Sequence, residues 1–202
     1  MIFQNVNILA KEKNRVVVDI YNTDKKYNII YADPPWKYGD VHTWHKMGGG
    51  VAGHYNCMTK QEISDMGNVV KKISEEDCIL FLWVTFPNLI QGLQTIKDWG
   101  FTYRTLGFSW IKTNKKNGKP FFGIGFYTKS NCEICLIGAK GKPGKLKKSN
   151  YVSSCIISER REHSRKPDEA RERIEQLVGQ VPKIELFARE EKEGWDCWGD
   201  EV

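Results

Sequence analysis

The residues best suited to chemistry are four in a row: Asp33, Pro34, Pro35 and Trp36. They follow an apolar run, YNIIYA, that predicts a β-strand. Loops at the carboxyl ends of strands are the usual ligand sites of open α/β sheets. Two adjacent prolines form a rigid turn without backbone donors, so we expect the carbonyl groups of Asp33 and Pro34 to be free acceptors. The tetrapeptide therefore predicts a carboxylate, a carbonyl and an aromatic face at one point.

These groups suit methyl transfer to an aromatic amine. Such a nitrogen is a poor nucleophile because its lone pair is delocalised into the ring. Two acceptors that hold its N–H groups would favour a pyramidal nitrogen and stabilise the positive charge that develops during transfer. The Asp33 carboxylate and the Pro34 carbonyl are such a pair, while Trp36, with Pro35, offers a wall for a flipped-out base. A plain strand-ending turn with a buried tryptophan is the alternative interpretation.

The elements that must position this turn alternate between strand and helix patterns, which predicts an α/β fold with a mostly parallel sheet. The expected strands cover residues 16–20, 27–32, 78–84, 106–112, 133–138 and 183–188. Three helices are expected: one that opens with a capping box of Thr59 and Glu62 and carries Ile63, Met66, Val70 and Ile73 on one face, one from Pro87 to Gly100, and one from Pro167 to Gly179.

The length of 202 residues predicts a single domain over residues 1–202. Residues 37–56 are rich in glycine and histidine and lack any periodicity, directly after the tetrapeptide. Long loops without periodicity in compact domains are usually functional or disordered. We expect an active-site loop there that is poorly ordered without ligands.

The positive charge is concentrated in one part of the chain. Residues 112–148 contain ten lysines and the single acid Glu133, although the whole chain carries a net charge of only +6. Two basic loops are expected, at residues 113–129 and 141–150. They are either solvated loops or surfaces that follow a phosphate backbone. The lysines concerned are Lys115, Lys116, Lys119, Lys142, Lys145, Lys147 and Lys148.

The cysteines predict neither disulfides nor a metal. No secretory-signal layout precedes them, which predicts a reduced cytoplasmic protein. Cys132 and Cys135 form a CxxC, but positions three apart in a strand point to opposite faces, so a zinc site is not expected. No apolar run approaches the ~20 residues needed to cross a membrane.

The motifs together resemble the family named for the catalytic subunit of the eukaryotic mRNA N6-adenosine methyltransferase. The resemblance runs from about Tyr27 to the C-terminus, and the compact length is similar to that of phage and bacterial DNA adenine methyltransferases. Its segments are YADPPWKYG, LFLWVT, WIKTN, NCEICLIGAKG, REHSRKPDEARERIEQL and KIELFARE with GWDCWGDE.

The resemblance implies a single Rossmann-like methyltransferase domain in permuted order, with S-adenosylmethionine as cofactor and a nucleic acid, DNA rather than RNA, as partner. Lys166 would meet the methionine carboxylate, and Arg189 and Glu201 the ribose. The implied cofactor site comprises Asp19, Ile20, Asp33, His163, Ser164, Lys166, Glu185, Phe187, Arg189, Asp200 and Glu201. Tyr55, Trp83 and Lys112 would line the target pocket, although core packing is the stronger interpretation for Trp83.

Three functions remain open from the sequence. The chain resembles enzymes that methylate N6 of adenine in DNA, enzymes that methylate RNA, and relatives that have lost catalysis and act as nucleic-acid-binding partner subunits. Those inactive relatives usually lack an intact DPPW, which is present here. A monomer or homodimer, with or without a partner subunit, is compatible with the sequence.

Overall fold

The computed structural model describes residues 16–37, 57–123, 125, 127–161 and 165–202. Within these ranges, the strands form one eight-stranded sheet in the order β1-β8-β7-β2-β3-β5-β4-β6. The strands are β1 Val16–Val17, β2 Tyr27–Ala32, β3 Ser74–Val84, β4 Thr102–Thr113, β5 Cys132–Lys140, β6 Cys155–Glu159, β7 Lys183–Leu186 and β8 Asp196–Trp198.

Every strand of this sheet except β5 runs in the same direction. Strand β2 pairs in parallel with both β3 and β7, and β4 pairs in parallel with β6. Strand β5 lies antiparallel between β3 and β4. The prediction of an α/β fold with a mostly parallel sheet is therefore confirmed, and the arrangement is Rossmann-like.

The helices are α1 Lys60–Asp65, α2 Gly67–Ile73, α3 Leu89–Asp98 and α4 Asp168–Val178. Helix α1 begins with the expected capping box, in which Thr59 and Glu62 bond each other's backbone N–H groups. Gly179, with φ of 70°, ends α4. The sequence predicts one first helix, but the structure has two, because the helical hydrogen-bonding pattern is interrupted at Met66.

Alternate residues of the central strands face two separate cores. On one side, Ile30 and Leu80 pack with the apolar residues of α1, α2 and α3, such as Ile63 and Ile96. On the other side, Tyr31, Phe81 and Trp83 pack with α4. Because both faces are covered, the strands read as nearly continuous apolar runs.

Several strand boundaries differ from the prediction. Strand β1 ends at Val17, and residues 19–22 form a turn in which the Asp19 carboxylate accepts from Tyr21 and Asn22. Strands β6 and β8 were not predicted, because one is short and alternately exposed and the other contains only 3 residues. Their pairing partners lie far away in the sequence, at β4 for β6 and at β1 and β7 for β8.

All strands except β5 begin along one side of the sheet and end along the opposite side. We call the edge at which the parallel strands end the carboxyl edge, and the opposite one the amino edge. Since β5 is antiparallel to β3, Cys78 pairs with Lys140 toward the amino edge and Val84 pairs with Ile134 toward the carboxyl edge. At roughly 3.3 Å per residue, this stretch of β3 separates the two by about 20 Å.

Candidate active site

The turn that follows β2 lies at the carboxyl edge and is fixed by backbone hydrogen bonds. The Trp36 N–H donates to the Pro34 carbonyl at 2.8 Å, and the Met58 N–H donates to the Pro35 carbonyl at 2.9 Å. The Pro34 carbonyl is therefore not free, contrary to the expectation from the sequence. A carbonyl oxygen has two lone pairs, so one acceptor position remains for a substrate.

Trp36 anchors this turn to the core. Its ring is only 7% exposed, and its indole N–H donates to the Trp83 carbonyl at 3.0 Å. Little of the ring remains for stacking, so the expected wall for a flipped-out base is not an exposed Trp36 face. The indole hydrogen bond ties the turn that carries Asp33 and Pro34 to β3.

The Asp33 carboxylate begins a line of buried charges that alternate in sign. Lys166 Nζ lies 2.6 Å from Asp33 and 3.1 Å from Glu133, whose carboxylate also pairs with Lys112. All four side chains are between 10% and 16% exposed. Two segments distant in sequence thus meet here, since Asp33 and Lys166 are 133 residues apart.

Trp83 lies beneath this line of charges. It is fully buried, its indole N–H donates to the Tyr31 hydroxyl at 2.8 Å, and Lys166 Nζ lies 5.6 Å from the centre of its ring. A fully buried ring does not face a nucleic acid. The burial of Trp83 favours the core interpretation, and its ring lies within cation–π distance of Lys166.

Burial and neighbouring charges oppose each other in setting the pKa values here. Burial raises the pKa of Asp33, and Lys166 offsets this only in part. Burial alone would lower the pKa of Lys166, but the carboxylates of Asp33 and Glu133 hold it above its ordinary value. Burial would likewise raise the pKa of Glu133, yet Lys166 and Lys112 keep it lowered. The Lys166 ammonium thus lies between two carboxyl groups whose pKa values are shifted in opposite directions.

Glu133 was missed as a site residue by the sequence reasoning. It is the only acid among residues 112–148 and lies in the apolar run NCEICLIGAKG. A charged residue in a strand with both faces covered needs a buried partner, which was the available signal. Lys112, expected in the target pocket, is one of its partners.

A second charged cluster lies beside the first, between α4 and β7. The Arg171 guanidinium pairs with Glu185 at 2.8 Å and with Glu190 at 2.6 Å, and Arg165 also pairs with Glu190. Together with Asp33 and Lys166, these side chains border a cavity that Tyr31, Phe187 and Arg189 also line. Three residues expected at the cofactor, Glu185, Phe187 and Arg189, therefore come together here with Asp33 and Lys166.

This cavity is small and its wall is strained at one point. Its volume is about 20 Å³, far below the ~300 Å³ of a typical small-molecule site, because charged side chains fill it. Phe187 has φ of 61°, a left-handed conformation that is uncommon outside glycine. Such backbone strain clusters at functional sites.

The remaining expected cofactor residues are spread along the same edge. Arg189 Nε lies 3.8 Å from a Glu201 carboxylate oxygen, and both Asp200 and Glu201 are exposed. Ile20 is fully buried in the core, so its side chain is not available to a ligand. Asp19 is exposed and its carboxylate caps the turn that follows β1. Tyr55, His163, Ser164 and the loop after Lys37 as far as residue 56 lie outside the described residues.

Comparison with known proteins decides the family. The MT-A70 family profile matches residues 27–201. The chain belongs to the MT-A70 family. The resemblance read from the sequence is confirmed, and methyltransferases of this N6-adenine methyltransferase family depend on S-adenosylmethionine.

The chain covers a different share of the length of each MT-A70 relative. The Type II methyltransferase M.MunI from Mycoplasma sp is 32% identical over 192 residues, covering 88% of this chain and 78% of that protein. The human N(6)-adenosine-methyltransferase catalytic subunit METTL3 is 33% identical over 167 residues, covering 81% of this chain and 26% of that protein. An MT-A70-like N(6)-adenosine-methyltransferase from Arabidopsis thaliana is 31% identical, covering 92% and 24%. The chain thus spans about a quarter of these eukaryotic relatives.

The donor groups of this MT-A70 chain suit S-adenosylmethionine. Lys166 is a buried cation that can donate to a carboxylate, and Glu201 can accept from ribose hydroxyls. Within the described ranges, no group of three or more His, Cys, Asp or Glu residues could hold a metal ion. No helix among the same residues is long and apolar enough to span a bilayer.

The two basic loops lie at opposite edges of the sheet. Lys115, Lys116 and Lys119 follow the end of β4, at the same carboxyl edge as Asp33. Lys142 and Lys145 follow the end of β5 at the amino edge, where Lys145 pairs with Asp77 and the Lys142 N–H donates to the same carboxylate. The Lys148 N–H donates to the carbonyl of Leu177, near the end of α4. The two basic loops are therefore about 20 Å apart along the strands.

Proposed function

We propose that this chain transfers the methyl group of S-adenosylmethionine to the N6 amino group of adenine in DNA. The observation that carries the proposal is the Asp33 carboxylate at the carboxyl edge, 2.6 Å from the buried Lys166 and beside the Pro34 carbonyl. DNA is the proposed substrate because the chain covers most of M.MunI, a Type II methyltransferase, and only about a quarter of the N(6)-adenosine-methyltransferases.

In the proposed reaction, Asp33 and Pro34 hold the target amine. The Asp33 carboxylate accepts one N–H of the adenine amino group, and the second lone pair of the Pro34 carbonyl accepts the other. Both acceptors stabilise the positive charge on the nitrogen as its bond to the methyl group forms. One proton must then leave the methylated nitrogen, and a carboxylate with a raised pKa such as Asp33 is a suitable acceptor for it.

Lys166 has two tasks in this proposal. Its ammonium lies against Asp33 and Glu133 and can also donate to the methionine carboxylate of the cofactor, which supplies an electrophilic methyl group when bound. Phe187, Arg189, Asp200 and Glu201 would hold the adenosine portion along β7 and β8. Asp19 and Ile20 lie at the same edge, where Tyr21 contacts Trp198, which in turn packs against Phe187. Entry of the cofactor requires that the Arg165–Glu190 pair separate.

RNA is the second candidate substrate. The identity to METTL3, 33% over 167 residues, equals that to M.MunI within one percentage point. An inactive nucleic-acid-binding subunit is the third candidate, and the intact pairing of Asp33 with Lys166 argues against it. We further propose a cytoplasmic location, because Cys57 and Cys155 are free and exposed, as in reducing compartments.

The test is a methylation assay with radiolabelled S-adenosylmethionine and matched DNA and RNA oligomers, followed by digestion and identification of the modified nucleoside. We expect N6-methyladenine in DNA. Label in RNA alone would replace the DNA assignment with the RNA one. Label on another base would overturn the amine assignment, and absence of label on every oligomer would favour the inactive subunit.

A further inference from the structure

We propose that Arg171 is a positioning residue for the cofactor, because its guanidinium holds the two carboxylates that flank the adenosine-binding segment, residues 186–189. This inference rests on the proposed function for the location of the adenosine portion of S-adenosylmethionine. The support for it lies in the contacts, the burial and the surroundings of Arg171.

Arg171 joins three separate parts of the molecule. It lies in the first turn of α4, where its guanidinium pairs with Asp168 of the same turn. A second nitrogen of the guanidinium lies 2.8 Å from Glu185 in β7. Glu190, which follows β7, lies 2.6 Å from the nitrogen that pairs with Asp168. A guanidinium presents its donors in a planar fork, so one side chain can bind carboxylates on all three elements.

Stability alone does not account for an arginine at this position. The other buried residues of α4 are apolar, namely Ala170, Ile174 and Val178. The Arg171 side chain is only 6% exposed, and its Nε has no hydrogen-bond partner among the described residues. An unpaired buried donor is unfavourable, and buried ion pairs are often no more stabilising than apolar residues of the same volume. The pairs that Arg171 makes therefore indicate a function beyond packing α4 on the sheet.

The two carboxylates beyond α4 that Arg171 holds lie on either side of the strained residue Phe187. Glu185 precedes Phe187 by two residues, and Glu190 follows it by three. A left-handed conformation of a residue other than glycine persists only where the surrounding structure holds it in place. The φ of Phe187 is 61°. One guanidinium thus fixes both ends of the segment that contains this strained residue.

The segment held in this way lines the cavity beside Asp33. Phe187 and Arg189 both border that cavity, as do Arg171 and Glu185. A ligand that meets side chains already in place does not have to order them during binding. Without the guanidinium, binding of the adenosine portion would itself have to order Phe187 and Arg189.

Arg173 provides the matched contrast on the same helix. It pairs with Glu169 at 2.5 Å and donates to the carbonyls of Ser153 and Cys155, and its side chain is only 15% exposed. These partners lie at or just before the start of β6, and Arg173 does not border the cavity that Arg171 borders. If any buried arginine of α4 affected the cofactor through the stability of the helix, the two arginines would be equivalent.

The test compares two probes, S-adenosylmethionine and methylthioadenosine, which keeps the adenosine portion but lacks the amino-acid portion. Competition with radiolabelled S-adenosylmethionine gives both affinities for wild type, Arg171→Met and Arg173→Met, and thermal melting checks that each variant is folded. We expect Arg171→Met to bind both probes roughly tenfold more weakly, as when two side chains must be ordered on binding. Arg173→Met should bind both probes as wild type does.

Lys166→Ala separates positioning from direct binding of the cofactor. It should weaken binding of S-adenosylmethionine but not of methylthioadenosine, because that probe has no carboxylate. In Arg171→Met, the KM for the cofactor should rise, while kcat at saturating cofactor and the KM for the oligomer stay within about threefold of wild type. The proposal would be overturned by unchanged methylthioadenosine affinity in Arg171→Met, by an equal loss in Arg173→Met, or by no binding of this probe to wild type.

Arg171→Lys decides the question if Arg171→Met does not fold. Its ammonium retains the charge but lacks the planar fork, so it cannot hold both carboxylates in the same geometry. We expect its affinity for methylthioadenosine to fall by about threefold to tenfold. Wild-type affinity in this variant would overturn the proposal, and unfolding of both variants would assign Arg171 to the stability of the fold instead.

The outcomes separate this inference from the proposed function. If wild type methylates adenine in DNA while Arg171→Met binds methylthioadenosine as wild type does, the inference fails and the proposed function stands. If wild type transfers no methyl group to any oligomer, yet Arg171→Met loses affinity for both probes, the inference stands and the proposed function fails.

Discussion

The lysine–carboxylate pairs at the two edges of the sheet differ in how far they are exposed to water. At the carboxyl edge, Asp33, Lys166, Glu133 and Lys112 alternate in sign and are nearly excluded from water. At the amino edge, Asp77 pairs with Lys145, whose side chain is 71% exposed. Both edges contain carboxylates bound to lysines, but in the amino-edge pair Lys145 stays in water while the Asp77 side chain is 16% exposed, whereas at the carboxyl edge folding removes both partners of each pair from water, with the desolvation cost that this carries.

The difference indicates where charge serves function. Exposed ion pairs contribute ~0 to 1 kcal/mol to stability, and buried pairs are often no more stabilising than apolar residues of the same volume. A line of buried charges beside a strained Phe187 is therefore hard to explain by stability alone. Matched substitutions at the two edges test this interpretation.

The largest effect is expected at Asp33. Asp33→Asn keeps the shape of the side chain but removes the charge that stabilises the reacting nitrogen, so methyl transfer should fall by roughly a hundredfold or more. Asp77→Asn is the matched control at the amino edge and should retain activity within about twofold, because exposed pairs contribute little. Initial rates of label transfer measure both. Activity of Asp33→Asn within threefold of wild type would contradict the assignment.

The next effect concerns Lys166. Lys166→Ala removes the cation that would meet the cofactor carboxylate, so cofactor affinity should fall by about 1–3 kcal/mol, as for a charge-assisted hydrogen bond. Lys145→Ala should bind the cofactor as wild type does. Titration calorimetry gives both affinities, with melting curves to confirm folding. Unchanged affinity in Lys166→Ala would remove this residue from the cofactor site.

The pH dependence follows from Asp33. Because burial raises its pKa above the ordinary value and activity requires the carboxylate, methyl transfer should decline on the acidic side at a pH above the ordinary aspartate pKa of 3.8. Lys166, Glu133 and Arg189 also act on this carboxylate. Loss of the Lys166 cation should move the acidic limb further upward. A pH profile of kcat/KM with the limb at or below the ordinary value would refute this prediction.

The smallest effect is expected from the basic loop at the amino edge. Charge reversal of Lys145, Lys147 and Lys148 together should change nucleic-acid affinity, and its salt slope, less than reversal of Lys115, Lys116 and Lys119. The reason is the separation of about 20 Å between the two edges. Salt titrations of binding decide between them. An equal or larger loss from the amino-edge loop would show that nucleic acid wraps around the sheet.

Much of the fold was predictable because long apolar runs identify buried strands. Residues 27–32 agree in full with β2, and β3, β4 and β5 are each longer than predicted. The break at Met66 was not predictable, since it depends on contact with a distant segment. A Cβ atom on Gly67 would lie 2.5 Å from the Asp98 carbonyl oxygen, at the end of α3.

The site was predictable in its residues more than in its geometry. Motifs identified Asp33 and Lys166, and the structure brings them into contact. The direction of β5, however, cannot be read from an apolar pattern, and that direction alone separates the two basic loops. Glu133 was not recognised as a site residue from the sequence. Its burial depends on β3 and β4 lying on either side of β5.

The small cavity between α4 and β7 has a consequence for the rate at which the cofactor arrives. If the cofactor enters this cavity as proposed, the Arg165–Glu190 pair must first separate, and the apparent dissociation constant is then the intrinsic one divided by the fraction of molecules in the open form. Association should then be slower than simple diffusional encounter. Both side chains are about one-third exposed, so added salt should weaken their attraction and increase the association rate. Salt would thus favour loading of the cofactor while it weakens the hold on a polyanion.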